Sequence, residues 1–91
     1  MKKKEIVFER QFSALEGLQE ERLTRYIITT NPGAESILYG IELEETDQWG
    51  VRRAAMEPLS DSREQVALLI TFLYERAVGL TSFRDVLSDR V

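Results

Sequence analysis

The apolar positions of this chain change period once. Up to residue 59 they recur mainly at every second position, and from residue 60 onward at every third or fourth. The second rhythm is the stronger. In Ser60–Ala77, SDSREQVALLITFLYERA, Val66, Leu69, Ile70, Leu73 and Ala77 form the stripe of a buried helix face, and Leu68 and Phe72 widen it. Asp61 and Ser62 are good N-caps, with Glu64 and Gln65 three residues on in capping-box spacing. Gly79 is expected to end the helix in a left-handed conformation. Thr81 and Ser82 then cap a short final helix, Phe83–Arg90, with Phe83, Val86 and Leu87 on its apolar side. An aspartate at position 69 or 73 should unfold the domain by burying an unpaired charge.

The first part reads as four strands. Lys4–Phe12 is rich in strand formers, with Ile6, Phe8 and Phe12 on one face and Arg10 interrupting. A helix through Phe8, Phe12 and Leu15 is the weaker alternative. Ser13–Glu21 has no clear period and reads as a connection. Arg22–Thr30 is the second strand, followed by a turn over residues 31–35 in which Gly33 supplies the positive φ of a type II turn. Ser36–Glu45 is the third. Ile37, Tyr39, Ile41 and Leu43 form its core face, with Ile27 and Val51 expected beside them. Gly40 lies on the other face, where a neighbouring group can approach. Thr46–Gly50 turns the chain into Val51–Leu59, a strand that Pro58 ends or confines to an edge.

The expected architecture is therefore α+β in the order ββββαα. A four-stranded, mostly antiparallel sheet carries one long and one short C-terminal helix on one face, in a single domain over residues 1–91. The opposite face is left open, either polar or met by a second copy.

Composition narrows the chemistry. The chain has no cysteine and no histidine, which removes thiolate catalysis, Cys-based zinc sites and the commonest general base. Its net charge of −4 and lack of a basic segment argue against nucleic-acid binding. No apolar run is long enough for a transmembrane span. Met1 to Lys4 begins like a secretory signal, but Glu5, Glu9 and Arg10 stand where an apolar segment would run. A cytoplasmic protein is expected.

Three groupings bear on function. Glu42, Glu44, Glu45 and Asp47 suggest an oxygen site for a hard cation, yet Glu45 points away from the other two glutamates and there is no calcium-loop pattern. They read instead as solvated charge near a strand end. Tyr26, Tyr39 and Trp49 suggest an aromatic platform, but acidic neighbours replace the basic ones that single-stranded nucleic acid requires. Trp49 fits better as an anchor for a protein partner. Asp85 and Asp89, one turn apart, fit a wetted helix face better than an acid–base pair.

The second half carries a recognisable pattern. Tyr39-Gly40-Ile41 is followed by a polar hairpin, by Leu59-Ser60-Asp61-Ser62-Arg63-Glu64 opening an apolar helix, and by Asp85-Val86-Leu87-Ser88-Asp89 at the end. Over residues 22–91 this resembles a family of small Clostridia-type Firmicutes proteins known only as a domain of unknown function. Where that family often has a proline, this chain reads Gly79-Leu80-Thr81-Ser82. The resemblance implies a bacterial cytoplasmic protein and no activity, cofactor or catalytic residue.

The expectation that follows is a non-enzymatic interaction or regulatory module with no catalytic, cofactor-binding or metal residues. A protein partner or homodimer would use a surface containing Tyr39, Trp49, Arg52 and Arg53. The competing reading is a small-ligand binder or enzyme using Glu42, Glu44, Arg52 and Arg53 across the hairpin.

Overall fold

The computed structural model describes residues 3–12, 21–33 and 35–89. The Ser13–Glu21 connection, apart from Glu21, and the Phe12 side chain lie outside them, and the last helix ends at Ser88 with Asp89 as its C-cap, before the expected Arg90. Four strands, β1 (Lys3–Phe12), β2 (Arg22–Pro32), β3 (Ile37–Asp47) and β4 (Gly50–Ser60), precede two helices, α1 (Arg63–Glu75) and α2 (Phe83–Ser88). The sheet is an antiparallel meander in the order β1-β2-β3-β4. The ββββαα arrangement expected from the apolar periods is the one observed.

Short connections join β2 to β3 and β3 to β4. Gly33 N–H donates to the Ser36 carbonyl at 2.8 Å, closing β2 onto β3. Asp47 pairs with Gly50 at the β3–β4 turn, where the Asp47 carboxylate accepts from the Trp49 N–H at 2.8 Å. Among the described residues the glycine with positive φ is Gly50, at +129°, and not Gly33 as the type II reading required. Asn31 and Pro32 remain in the β2 ladder, so the turn starts two residues later than expected.

The core joins Tyr26 and Ile28 of β2 and Ile41 and Leu43 of β3 to Val66, Ile70 and Leu73 of α1 and Phe83 and Leu87 of α2. Each is at most 1% exposed, and each aliphatic side chain buried this way contributes about 1.5–3 kcal/mol. The helix stripe is narrower than its periodicity suggested. Leu69 is half-buried, Leu68 is 68% exposed and Ala77 lies outside the helix. Ile37, the first residue of β3, is exposed. Ile27 and Val51 do not join this core, because register places them opposite Glu42 and Thr46 on the far side of the sheet.

The N-terminus of α1 forms as its sequence indicates. Ser62 is the N-cap and its hydroxyl accepts from the Gln65 N–H at 3.3 Å. Ser60, however, belongs to β4. The C-terminus closes differently from expectation: Ala77, with φ of 50°, is the left-handed residue. Ala77 N–H donates to the Tyr74 carbonyl and Val78 N–H to the Leu73 carbonyl, a Schellman closure. Gly79 serves another need. A Cβ there would lie 3.3 Å from the Glu45 carboxylate, which accepts the Leu80 N–H at 3.0 Å. In α2, Ser82 occupies the N-cap position without a side-chain bond to the helix.

Two bulges shape the sheet. In β1 the register shifts between Ile6 and Phe8, so Ile6 pairs with Ile27 on one face and Phe8 with Tyr26 on the other. The expected shared face of Ile6 and Phe8 is thus broken by Val7, which packs on the core. In β4 the register shifts between the pairs Tyr39–Ser60 and Ile41–Met56. Glu57, Pro58 and Leu59 all fall opposite Gly40, in an edge strand as Pro58 required.

Candidate functional site

Strand alternation sends one set of side chains away from the helices. In register this face carries four rows: Lys4, Thr29 and Gly40; Ile6, Ile27, Glu42 and Ala55; Glu9, Arg25, Glu44 and Arg53; and Gln11, Leu23, Thr46 and Val51. Among the described residues no helix lies over it.

The third row is a ladder of alternating charge across all four strands. Arg25 Nε lies 3.0 Å from Glu9 Oε2, and Arg25 Nη1 lies 3.1 Å from Glu44 Oε1. Arg53 Nε lies 2.9 Å from Glu44 Oε2. Glu44 is the hub. Burial pushes its carboxyl up, but the hydrogen bonds from Arg53 and then Arg25 outweigh this and hold it below the ordinary glutamate value. The Glu9 and Glu44 carboxylates in turn raise the Arg25 guanidinium above its already high value. One row away, Lys4 Nζ pairs with Glu42 Oε2 at 3.1 Å. At the bulge, the Glu57 carboxylate accepts from Thr29 Oγ1 at 2.6 Å and Asn31 Nδ2 at 2.7 Å.

The acidic run is divided between the faces as the alternation indicated. Glu42 and Glu44 belong to the open face, whereas Glu45 lies on the helix side and holds the α1–α2 connection. Arg52 Nη2 reaches Glu45 at 3.3 Å and Asp47 at 3.1 Å. Each carboxylate of the run therefore meets a cationic side chain, and among the described residues no acidic cluster has the arrangement of a cation site.

The four residues expected to form a partner surface do not all come together; Trp49 and Arg52 share one depression, and Tyr39 and Arg53 lie elsewhere. Tyr39 packs against the core on the helix side near the beginning of β3. Trp49 is 80% exposed at the opposite end, on the hairpin tip, with Asp47, Gly50, Val51 and Arg52 around a shallow depression. Arg52 and Arg53 point to opposite faces of β4. Only Arg53 joins the open-face ladder, and sequence reasoning missed its other members Glu9 and Arg25. The hairpin closures were the signal for Arg25: counting back from the Gly33–Ser36 bond and the Asp47–Gly50 pair places Arg25 opposite Glu44 and Glu44 opposite Arg53.

On the helix side a second polar contact is structural. Arg10 Nη2 donates to the Tyr74 carbonyl at 2.7 Å, and its guanidinium carbon lies 4.4 Å from the Tyr74 ring centroid. The last turn of α1 contains no basic residue, so β1 supplies the cation its dipole favours. Phe8 stacks on Tyr74 at 4.3 Å, and Tyr26 meets the same ring edge-on at 5.6 Å. The Tyr26 hydroxyl donates to the Val78 carbonyl at 3.0 Å, and burial raises its pKa.

The class defined by these features is a two-layer α+β domain with a four-stranded antiparallel meander, helices on one face and an ionic ladder on the other. The chain belongs to the family of unknown function DUF6514, whose model matches residues 4–91. No curated protein and no solved structure matches it. None of the described helices is long and apolar enough to cross a membrane.

Proposed function

We propose that this domain is a non-enzymatic interaction module that engages a protein through the sheet face opposite α1. The observation that carries the reading is the balance of that face. Glu9, Glu42 and Glu44 are matched by Lys4, Arg25 and Arg53, and the Glu57 carboxylate is hydrogen-bonded by Thr29 and Asn31, while Ile6 and Val51 stand 51% and 47% exposed between and beside them. A surface whose charges are already paired or hydrogen-bonded can be covered by a partner without stranding an ion, and its exposed aliphatic side chains gain by being covered. In a chain of net charge −4, a face without a basic excess suits a protein better than a nucleic acid. The ligand-binding or enzymatic alternative needs Glu42, Glu44, Arg52 and Arg53 to converge, and Arg52 lies on the other side of the sheet. The setting we propose is the bacterial cytoplasm, on the Clostridia-type pattern of residues 22–91.

A photo-crosslinking side chain placed at Val51, and separately at Leu68 on the exposed side of α1, tests the reading in the native host. Protein adducts from position 51 with none from position 68 are expected. Absence of adducts from position 51 would overturn the assignment of the face.

A further inference from the structure

We infer that the partner seated on this face is a second copy of the chain, related by a two-fold axis parallel to the strands. The inference rests on the module reading and names its partner.

The charge order of the ladder carries it. From β1 to β4 the row reads acid, base, acid, base: Glu9, Arg25, Glu44, Arg53. When two sheets meet face to face with the two-fold along the strands and through the middle of this row, β1 lies over β4 of the second copy and β2 over its β3. Glu9 then faces the second copy's Arg53, and Arg25 faces its Glu44. Both acids of this row meet a base. Turning the axis to run along the row instead sets Glu9 against Glu9 and Arg53 against Arg53, which like-charge repulsion disfavours. The chosen axis also places Ile6 over the second copy's Ala55, a large apolar side chain against a small one. It keeps the two sets of strands aligned, the usual arrangement when sheets stack.

The outer positions of the ladder are available for this. The Glu9 and Arg53 side chains retain 50% and 55% exposure, while Glu44 retains 12%. Among the described residues Glu9 pairs with Arg25 alone and Arg53 with Glu44 alone, so each has capacity for a second ionic contact.

Size agrees. Four strands about 4.8 Å apart, with some 11 residues each rising ~3.3 Å, present roughly 700 Å² per copy. The pair would cover roughly 1,400 Å², within the range of a stable specific interface.

The edges of the sheet are poorer routes to self-association. β1 bears Lys3, Lys4 and a bulge. β4 bears Pro58 and a bulge, and its Ala55 carbonyl already accepts from Arg84 Nη2 at 3.2 Å. Such features discourage edge-to-edge pairing.

Sedimentation velocity on the full chain, with Glu9→Arg and Arg53→Glu variants whose folding is checked by circular dichroism, tests the inference. The wild type should be dimeric at about 100 µM, a concentration that detects even a weak dimer. Each variant alone places like charges opposite one another and should lose at least tenfold in dimer affinity. An equimolar mixture should dimerise again, because the cation introduced at position 9 of one variant then faces the carboxylate introduced at position 53 of the other. Recovery in the mixture is a result that damage to either fold cannot produce.

A monomeric wild type would overturn the inference, as would variants that dimerise as well as wild type or a mixture that stays monomeric. If position 51 still crosslinks to a different protein, the module reading survives while the homodimer does not. If it crosslinks to nothing, both fall.

Discussion

Gly40 and Glu57 share one place on the sheet: a Cβ on Gly40 would collide with the Cβ of Glu57 and lie 2.9 Å from both the Met56 carbonyl and Thr29 Oγ1. The three-residue excursion of β4 opposite Gly40 folds Glu57 over β3 toward Thr29 and Asn31, and only a residue without a side chain leaves room. Gly40→Ala should therefore cost about 1–3 kcal/mol, seen as a lower urea midpoint with an unchanged slope. An unaltered midpoint would mean that the bulge does not need the glycine.

Arg10 joins β1 to the end of α1 through the Tyr74 carbonyl and ring. Arg10→Met keeps much of the aliphatic bulk and removes the charged donor. A loss of about 1.5 kcal/mol is expected. Arg10→Lys should recover only part of it, since an ammonium lacks the planar group that lies over the ring. Equal stability of wild type and Arg10→Met in thermal unfolding would show the contact to be incidental.

Glu44 gives the fold a defined acid response. Its carboxyl titrates lower in the folded chain than in the unfolded one, because Arg53 and Arg25 outweigh the effect of burial. The unfolded state therefore binds the proton more readily. The contribution of Glu44 is present above the unfolded value of about 4.3 and fades as pH falls through the lower folded value. The stability advantage of wild type over Glu44→Gln should be constant around neutrality and shrink in acid. Urea titrations across that range check it, and a difference independent of pH would contradict the ladder.

Leu73 and Leu68 occupy opposite sides of α1, the first 0% and the second 68% exposed. Leu73→Asp should unfold the domain, at a cost above about 4 kcal/mol. Leu68→Asp should leave it folded. Circular dichroism of the two variants separates the covered side from the wetted one.

Ala77 holds a left-handed φ of 50° that costs a residue with a Cβ roughly 1–2 kcal/mol. Ala77→Gly should raise the melting temperature, provided the Schellman bonds to Leu73 and Tyr74 persist. A lower melting temperature would mean that the extra freedom of glycine in the unfolded chain outweighs the relieved strain.

The open-face ladder was only half legible before the fold was known. Glu42 and Glu44 could be placed on one strand face by alternation alone, and Arg53 stood one turn away. Glu9 could not be added, because its pairing depends on a one-residue bulge at Val7, and nothing in KEIVFERQF marks which residue is the extra one. Arg25 could be added only once the Gly33–Ser36 closure fixed the register of β2 on β3. Tyr39, Trp49, Arg52 and Arg53 are spread over the sheet for a related reason. Adjacent residues on a strand point to opposite faces, and Tyr39 and Trp49 lie at opposite ends of the β3 path.

Local pattern alone determined the element order, the switch from period two to period 3.6, the Ser62 cap and the core faces of β3 and α1. Each of these depends on residues within a turn or a strand of one another. Tertiary structure decided the rest: which face of β2 turned inward, why Ala77 and not Gly79 closes α1, and how Glu9, Arg25, Glu44 and Arg53 came to stand in one row. Those outcomes depend on register between strands distant in sequence, and a single extra residue in a strand reverses the face of everything beyond it.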